Sequence, residues 1–204
     1  MKHQIYNLFP SSVHSIELEN FPLVKERVVS YIYKEKEKFP ESVVKSNRGG
    51  WQSQDTYYKH DNILVQIISG GLSYMGSSYK FPEIIIRGLW ININNKDNYN
   101  CLHNHPGCDL AGVLWINIPK ESGNFEFASP HNFIASSVLN SYEENFKLDT
   151  YNYPAYKMFP KEGSMLVFPS YLDHMVEPNK SDEDRISISF NIEIDRNSSS
   201  TRQI

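Results

Sequence analysis

The sequence predicts a mainly β protein, an antiparallel sandwich or barrel with two helices laid over one sheet. Two observations carry that reading. The first eighty residues hold two stretches with helical apolar spacing, and from residue 81 the period shifts to the alternation of strands. Those strand-like stretches are short and separated by turns bearing glycine and proline, with no helical stretch between them, so their sheets are antiparallel. At 204 residues the chain fits one domain with a substantial core. The expected parts are a helical flank over 1–80 integral to that domain, a β core over 81–194 and a polar tail over 195–204.

Each element follows from its residues. "NFPLVKERVVSYIYKEKEKF" starts at Asn20 as a cap and sets Leu23, Val24, Val28, Tyr31 and Ile32 on one helical face, with "YKEKEK" as solvated surface. "SNRGGWQSQDTYY" reads as a loop with Trp51 packed beneath it. A second helix falls in "DNILVQIISGGLSYMG", where Leu64, Ile67, Ile68, Leu72 and Met75 recur at helical spacing and Gly70–Gly71 is the point where it can break. Strands follow in "EIIIRGLWININN", "DLAGVLWINIP", "GNFEFASP", "GSMLVFPSYLDHMVEPN" and "RISISFNIEI", with Trp90 and Trp115 as core or pocket wall. The tail "DRNSSSTRQI" is polar and expected to be disordered.

Composition excludes several roles. A net charge of −4 gives no general attraction to nucleic acid or anionic membrane, and no apolar run approaches the ~20 residues a membrane span needs. The start lacks the apolar middle of a signal peptide, so a cytoplasmic location is expected. There Cys101 and Cys108 are expected to be reduced.

The chemistry concentrates in "CLHNHPGCDL". Residues i and i+2 share a face of a strand, so His103 and His105 could grip one metal ion from one side. A third ligand is offered by His174, which opens a strand after the turn at Pro169–Ser170 and meets the pair only if the sheet closes on itself. Arg185, Ser187, Ser189 and Asn191 share one face of the last strand, opposite Ile186, Ile188 and Phe190. Such a face meets water or lines a polar cavity, and the planar guanidinium suits a carboxylate. His3, His14, His60 and His131 read as surface or satisfied core histidines.

Taken together, "IYNLFP", "GGWQSQ", "HNHPGCDLAGVLWINIP", "LVFPSYLDHMVEPN" and "RISISFNIE" resemble the Fe(II)/2-oxoglutarate-dependent oxygenases. More narrowly they resemble a group of hydroxylases found in bacteria and tailed phages, over residues 1 to about 194. The resemblance implies a double-stranded β-helix (jelly-roll) barrel and a dioxygenase using Fe(II), 2-oxoglutarate and O2 on an unassigned primary substrate. It implies His103 and His174 as the catalytic iron ligands, Arg185 with Ser187 as clamp for the distal carboxylate of 2-oxoglutarate, and Asn92 and Asn94 as further cosubstrate contacts. Ala111 stands where the narrower group has Ser.

One departure bears on the metal. The usual site has two histidines and one carboxylate, and His105 occupies the place of that acid. Three imidazoles are the preferred set; Asp109 is the alternative if the "HPGCD" turn folds back. A cupin, as a metal enzyme or a sugar-binding protein, shares the His-x-His and Gly–Pro–His–Asn pattern, and a non-catalytic phage structural relative would keep the shell without iron. Arg185-x-Ser187 and the long N-terminal match favour the oxygenase. Residues 129–159 and the helical flank are where substrate choice is expected to lie, and oligomeric state is left open.

Overall fold

The computed structural model describes residues 1–2, 4, 6–79, 83–131 and 153–195. Two helices, α1 (Phe21–Lys38) and α2 (Ile63–Tyr79), precede most of the strands. The strands are β1 (His14–Glu17), β2 (Asn47–Arg48), β3 (Trp51–Gln52), β4 (Ile84–Asn94), β5 (Tyr99–His103), β6 (Leu110–Asn117), β7 (Phe125–Ala128), β8 (Ala155–Met158), β9 (Ser164–Pro169), β10 (His174–Val176) and β11 (Arg185–Ile194). They form a six-stranded sheet in the order β1-β9-β6-β11-β4-β3 and a five-stranded sheet in the order β2-β5-β10-β7-β8. Every strand pairing is antiparallel. This is the double-stranded β-helix that the sequence led one to expect.

The period-2 alternation divides the apolar side chains between two layers. Ile186, Ile188, Phe190 and Ile192 of β11, with Leu89, Ile91 and Ile93 of β4 and Leu114 and Ile116 of β6, face the helices and pack on Val28, Ile32, Leu64, Ile68, Leu72 and Met75. The intervening residues Ala111, Val113 and Trp115 turn inward and join Phe125, Phe127, Phe168 and Leu172 between the sheets. A strand buried on both faces reads as a continuous apolar run, which is why "LAGVLWIN" carries so few polar residues.

Several local expectations are corrected. Leu23 is 81% exposed, because the buried stripe of α1 is Phe21, Val28 and Ile32 and a residue two positions from Phe21 points roughly 200° away from it. Asn20 stands at the N-cap without a side-chain cap hydrogen bond. Helix α2 runs unbroken through Gly70–Gly71. Gly71 is buried, and a Cβ there would meet the tip of the Met165 side chain at 2.5 Å. Asn62 caps α2, its Oδ1 accepting from the Leu64 N–H at 2.9 Å and the Val65 N–H at 3.2 Å.

The presumed loop around Trp51 contains β2, β3 and a 3-10 turn at Tyr57–Lys59. Trp51 is buried as expected, its indole N–H donating to Phe39 O at 3.0 Å. Strands β1 and β8 had no sequence signal: four residues at a sheet edge are too short to show a period. Cys101 and Cys108 are free thiols. Most of the tail, 196–204, lies outside the described residues.

The tightest approach in the sheet is at Gly112, opposite Phe190 in register. A Cβ at Gly112 would lie 2.2 Å from Phe190 Cζ and 2.8 Å from Leu166 O. Gly112→Ala is therefore expected to lower stability by about 1–3 kcal/mol through overpacking, read as a drop in the urea midpoint at unchanged slope.

Candidate metal centre

Two turns build the centre. β5 ends at His103 and β10 begins at His174, and the two residues are paired directly across the five-stranded sheet. His105 lies beyond the end of β5, in the His-Pro-Gly-Cys turn, so the turn and not strand alternation brings it to the same point. Gly107 of that turn has φ +90°, a conformation open to glycine. The His105 N–H donates to Ser170 O at 2.9 Å, and the Ser170 hydroxyl donates to Cys108 O. The histidine-bearing turn is thus fastened to the Pro169–Ser170 turn that precedes His174.

The rings of His103, His105 and His174 converge, with ligand atoms within 4.8 Å of one another. Ring centroids are 5.2 Å apart for His103–His105, 4.3 Å for His103–His174 and 5.1 Å for His105–His174. Each ring is locked through Nδ1 onto an oxygen: His103 onto Cys101 O at 2.7 Å, His174 onto Leu172 O at 2.8 Å and His105 onto Asn191 Oδ1 at 2.6 Å. Carbonyl oxygens only accept, so in all three rings Nδ1 carries the proton and Nε2 presents a lone pair.

His105 Nε2 and His174 Nε2 stand 3.3 Å apart. Two lone pairs at that distance have no proton to share and repel. A cation between them turns the repulsion into binding, and nitrogens about 2.1 Å from one ion sit at about this mutual separation. The donor set therefore fits a divalent transition metal.

Electrostatics agree. Burial pushes the His105 imidazole down to about 4, with the Asn191 hydrogen bond opposing and the neighbouring His103 adding to the shift. Burial, then His103, pushes His174 down to about 3. His103 is lowered by burial as well. Neutral imidazoles are the form that ligates metal.

The rings open into a cavity of about 840 Å³ between the sheets. Trp115, Phe125 and Phe168 form its apolar side, and Asn92, Ser187 and Ser189 its polar side. The Asn92 amide N–H donates to Ser189 Oγ at 3.0 Å, while its Oδ1 is buried with no hydrogen-bond partner. A buried acceptor left so costs ~1–3 kcal/mol, which a ligand donor would recover. A larger hollow of about 1170 Å³ lies between α1 and the Tyr57–Lys59 turn and contains none of the three histidines.

The remaining sequence candidates are distributed unevenly. Asp109 is not among the converging ligand atoms. Its Oδ2 accepts from the Ile194 N–H at 2.9 Å, which ties the start of β6 to the end of β11 and corrects the alternative of a carboxylate ligand from this turn. Arg185 is 1% exposed and lies behind the cavity lining. Its guanidinium donates to Ser122 O, to Glu177 O at 2.8 Å and to Asn98 O at 3.5 Å.

Among the described residues no carboxylate pairs with Arg185, and burial pushes it down to about 10 against the pull of Glu177. Asn94 is buried opposite Arg185 in register and is not part of the lining, whereas Asn92 and Ser187 are. Sequence reading placed Asn191 on the polar face without a role, and left Trp90, which stacks on His105 at 5.7 Å and 21°, as mere wall. The alternation Arg-x-Ser-x-Ser-x-Asn was the available signal for Asn191.

A family model described as "Putative 2OG-Fe(II) oxygenase" matches residues 88–191, half of the chain and the part that carries the three histidines. The chain belongs to that family. It is a 2-oxoglutarate/Fe(II)-dependent oxygenase. Among solved structures, the oxygenase is similar to the α-ketoglutarate-dependent carbocyclase SnoK of nogalamycin biosynthesis, at 12% identity and a TM-score of 0.64, covering 89% of this chain and 79% of that one. It also resembles the viral collagen prolyl hydroxylase of Paramecium Bursaria Chlorella virus-1, at 16% identity and a TM-score of 0.55, covering 88% and 94%. A third is a Pseudomonas putida prolyl-4-hydroxylase, at 14% identity and a TM-score of 0.55, covering 89% and 91%. At these identities the likeness establishes the fold. No curated protein matches the sequence. No helix among the described residues is long and apolar enough to cross a membrane.

The lowered histidines predict how stability follows pH. Unfolded histidines take up protons near their ordinary value of 6.5, whereas the folded rings resist until about 4 for His105 and about 3 for His174. Across that window the unfolded state binds more protons, so the metal-free oxygenase loses stability as pH falls from 6.5 toward 4. The urea midpoint of the metal-free protein should fall between pH 7 and pH 4.5, and fall less in His174→Gln.

Proposed function

We propose that this oxygenase is a hydroxylase in which His103, His105 and His174 hold Fe(II) and Arg185 with Ser187 receives the distal carboxylate of 2-oxoglutarate. The supporting observation is the convergence of three Nε2 lone pairs on one point, at a cavity whose polar wall is the β11 face that also carries Arg185. Iron with bound 2-oxoglutarate supplies oxidation of the keto acid to succinate and CO2 coupled to transfer of one atom of O2 to a substrate C–H bond.

The chain's own residues do the placing. Three neutral imidazoles on one side of an ion leave its other side open to cosubstrate and oxygen. His103 and His174 occupy the positions of the two histidine ligands in the resembling family, and His105 takes the acid's position. It would supply a ligand without supplying charge, where a carboxylate would supply both.

Arg185 carries a buried charge whose hydrogen bonds are all to main-chain carbonyls. Such a cation gains most from an arriving carboxylate. Reaching the cavity requires the guanidinium to turn from Glu177 O toward Ser187. Asn92 lines the same cavity with its amide held on Ser189 Oγ. Trp115, Phe125 and Phe168 keep the site dry, which protects a reactive centre from side reactions. The helical flank over 1–80 belongs to the same domain in this reading, because its apolar stripe shares the core of the six-stranded sheet.

The primary substrate is set by residues around the cavity mouth. The connection 129–159, expected to choose it, lies largely outside the described residues.

Anaerobic titration with Fe(II) and then 2-oxoglutarate tests the assignment. His174→Ala should abolish iron binding. Arg185→Ala should bind iron as the parent does and lose at least tenfold in affinity for 2-oxoglutarate, in keeping with a lost buried charge-assisted pair of about 1.5–3 kcal/mol. Succinate formation should require 2-oxoglutarate in the parent. Iron binding unchanged in His174→Ala would sink the proposed centre, and 2-oxoglutarate affinity unchanged in Arg185→Ala would sink the clamp.

A further inference from the structure

We propose that Asn191 is the positioning residue for His105, holding the imidazole that stands in the acid's place in its ligating tautomer and thereby setting the metal affinity of the centre. The inference rests on the three-histidine reading above and adds a residue to it.

The three locks on the rings are not equivalent. His103 and His174 each donate to a main-chain carbonyl two residues earlier in their own segment, at Cys101 and Leu172. Those bonds follow from the local backbone and survive any side-chain substitution. His105 alone is held by a side chain, and from a strand remote in sequence: Asn191 Oδ1 lies 2.6 Å from its Nδ1. His105 also sits in a turn and not in a strand, so its ring orientation is the one that needs outside support.

Asn191 is placed to give it. β11 lies between β4 and β6, and Asn191 is paired to Gly88 on one side and Ala111 on the other. A side chain rooted in a central strand is a rigid post. From β4, Trp90 stacks on the His105 ring at 5.7 Å and 21°. The asparagine sets the ring's rotation about Cβ–Cγ, and the indole sets its plane.

The amide chemistry fits the task. Through Oδ1 the asparagine accepts the Nδ1 proton and leaves Nε2 as a lone pair; presented through its NH2 it would force the opposite tautomer and block ligation. A neutral acceptor is a weak version of the carboxylate–histidine–metal arrangement. The imidazole at position 105 is thus paired with a neutral amide at position 191, so neither residue brings a formal negative charge to this edge of the centre.

The test uses the full chain with Co(II) as the probe, read by the equilibrium dissociation constant and the visible absorption of the bound ion. Asn191→Ala should weaken Co(II) about 10- to 100-fold, the usual cost of an outer-shell partner, with its melting temperature in EDTA within a few degrees of the parent's. Asn191→Ser serves as a milder second variant and should show the same direction. Asn191→Asp, which keeps an acceptor at Nδ1 and adds charge, should bind Co(II) at least as tightly as the parent. In a His105→Ala background, Asn191→Ala should change the dissociation constant by less than twofold, because the residue acts through that ring. Co(II) affinity within twofold of the parent in Asn191→Ala and Asn191→Ser would overturn the inference, as would an equal loss in the His105→Ala background. A parent that binds no Co(II) would remove the metal centre itself, which tight parental binding with indifferent variants would not.

Discussion

The centre depends on one constraint: two turns, separated by more than sixty residues, are held against each other at the same end of the five-stranded sheet. The pairing of His103 with His174 across β5 and β10 sets two rings side by side. The bond from the His105 N–H to Ser170 O then draws the His-Pro-Gly-Cys turn over the turn that launches β10. Without that second contact His105 would follow its own turn, and a pair of imidazoles would remain. The bulge beside His174 marks where the ladder gives up regular register at this place.

That geometry carries an electrostatic cost. Three imidazoles with their protons committed outward cannot hydrogen-bond to one another, and burial keeps them from charging. Arg185 is a buried cation held by main-chain carbonyls, with no carboxylate partner among the described residues, and Asn92 keeps an unanswered acceptor. For the three imidazoles the arrangement is unfavourable in the protein alone and suited to a cation. The rest of the structure supplies the stability that sustains them: two apolar layers, one on each face of the main sheet. Neutral, buried ring nitrogens converging at a cavity, on a scaffold otherwise well satisfied, are the usual mark of a binding site.

Much of this was legible before any coordinates. The change from helical to strand period near residue 81, the five strand-like stretches between Phe81 and Ile194, and the two-faced run "RISISFN" all appear in the structure with the faces expected. What could not be read has specific causes. Four-residue edge strands such as β1 and β8 are too short to carry a period. Leu23 belongs to the apolar count of α1 but not to its buried stripe, because the stripe is fixed by which ring of the helix meets the sheet. Gly70–Gly71 looks like a break, yet the helix continues through both because its buried face, with Leu64, Ile68, Leu72 and Met75, packs on the core. Asp109 looks like a ligand because it is near in sequence, yet its carboxylate caps the Ile194 N–H.

The amino-acid sequence by itself determined the class of fold, the candidate histidines and the polar face of the last strand, since these depend on local period and residue type, and it left His105 and Asp109 as rivals for the third position. Tertiary structure decided which nitrogen of each ring faces the common point, that His105 arrives by a turn, that Asn191 holds it, and that Arg185 lies behind the cavity lining. Those are matters of direction between segments far apart along the chain. Direction is settled only when the sheets close and each donor finds its acceptor.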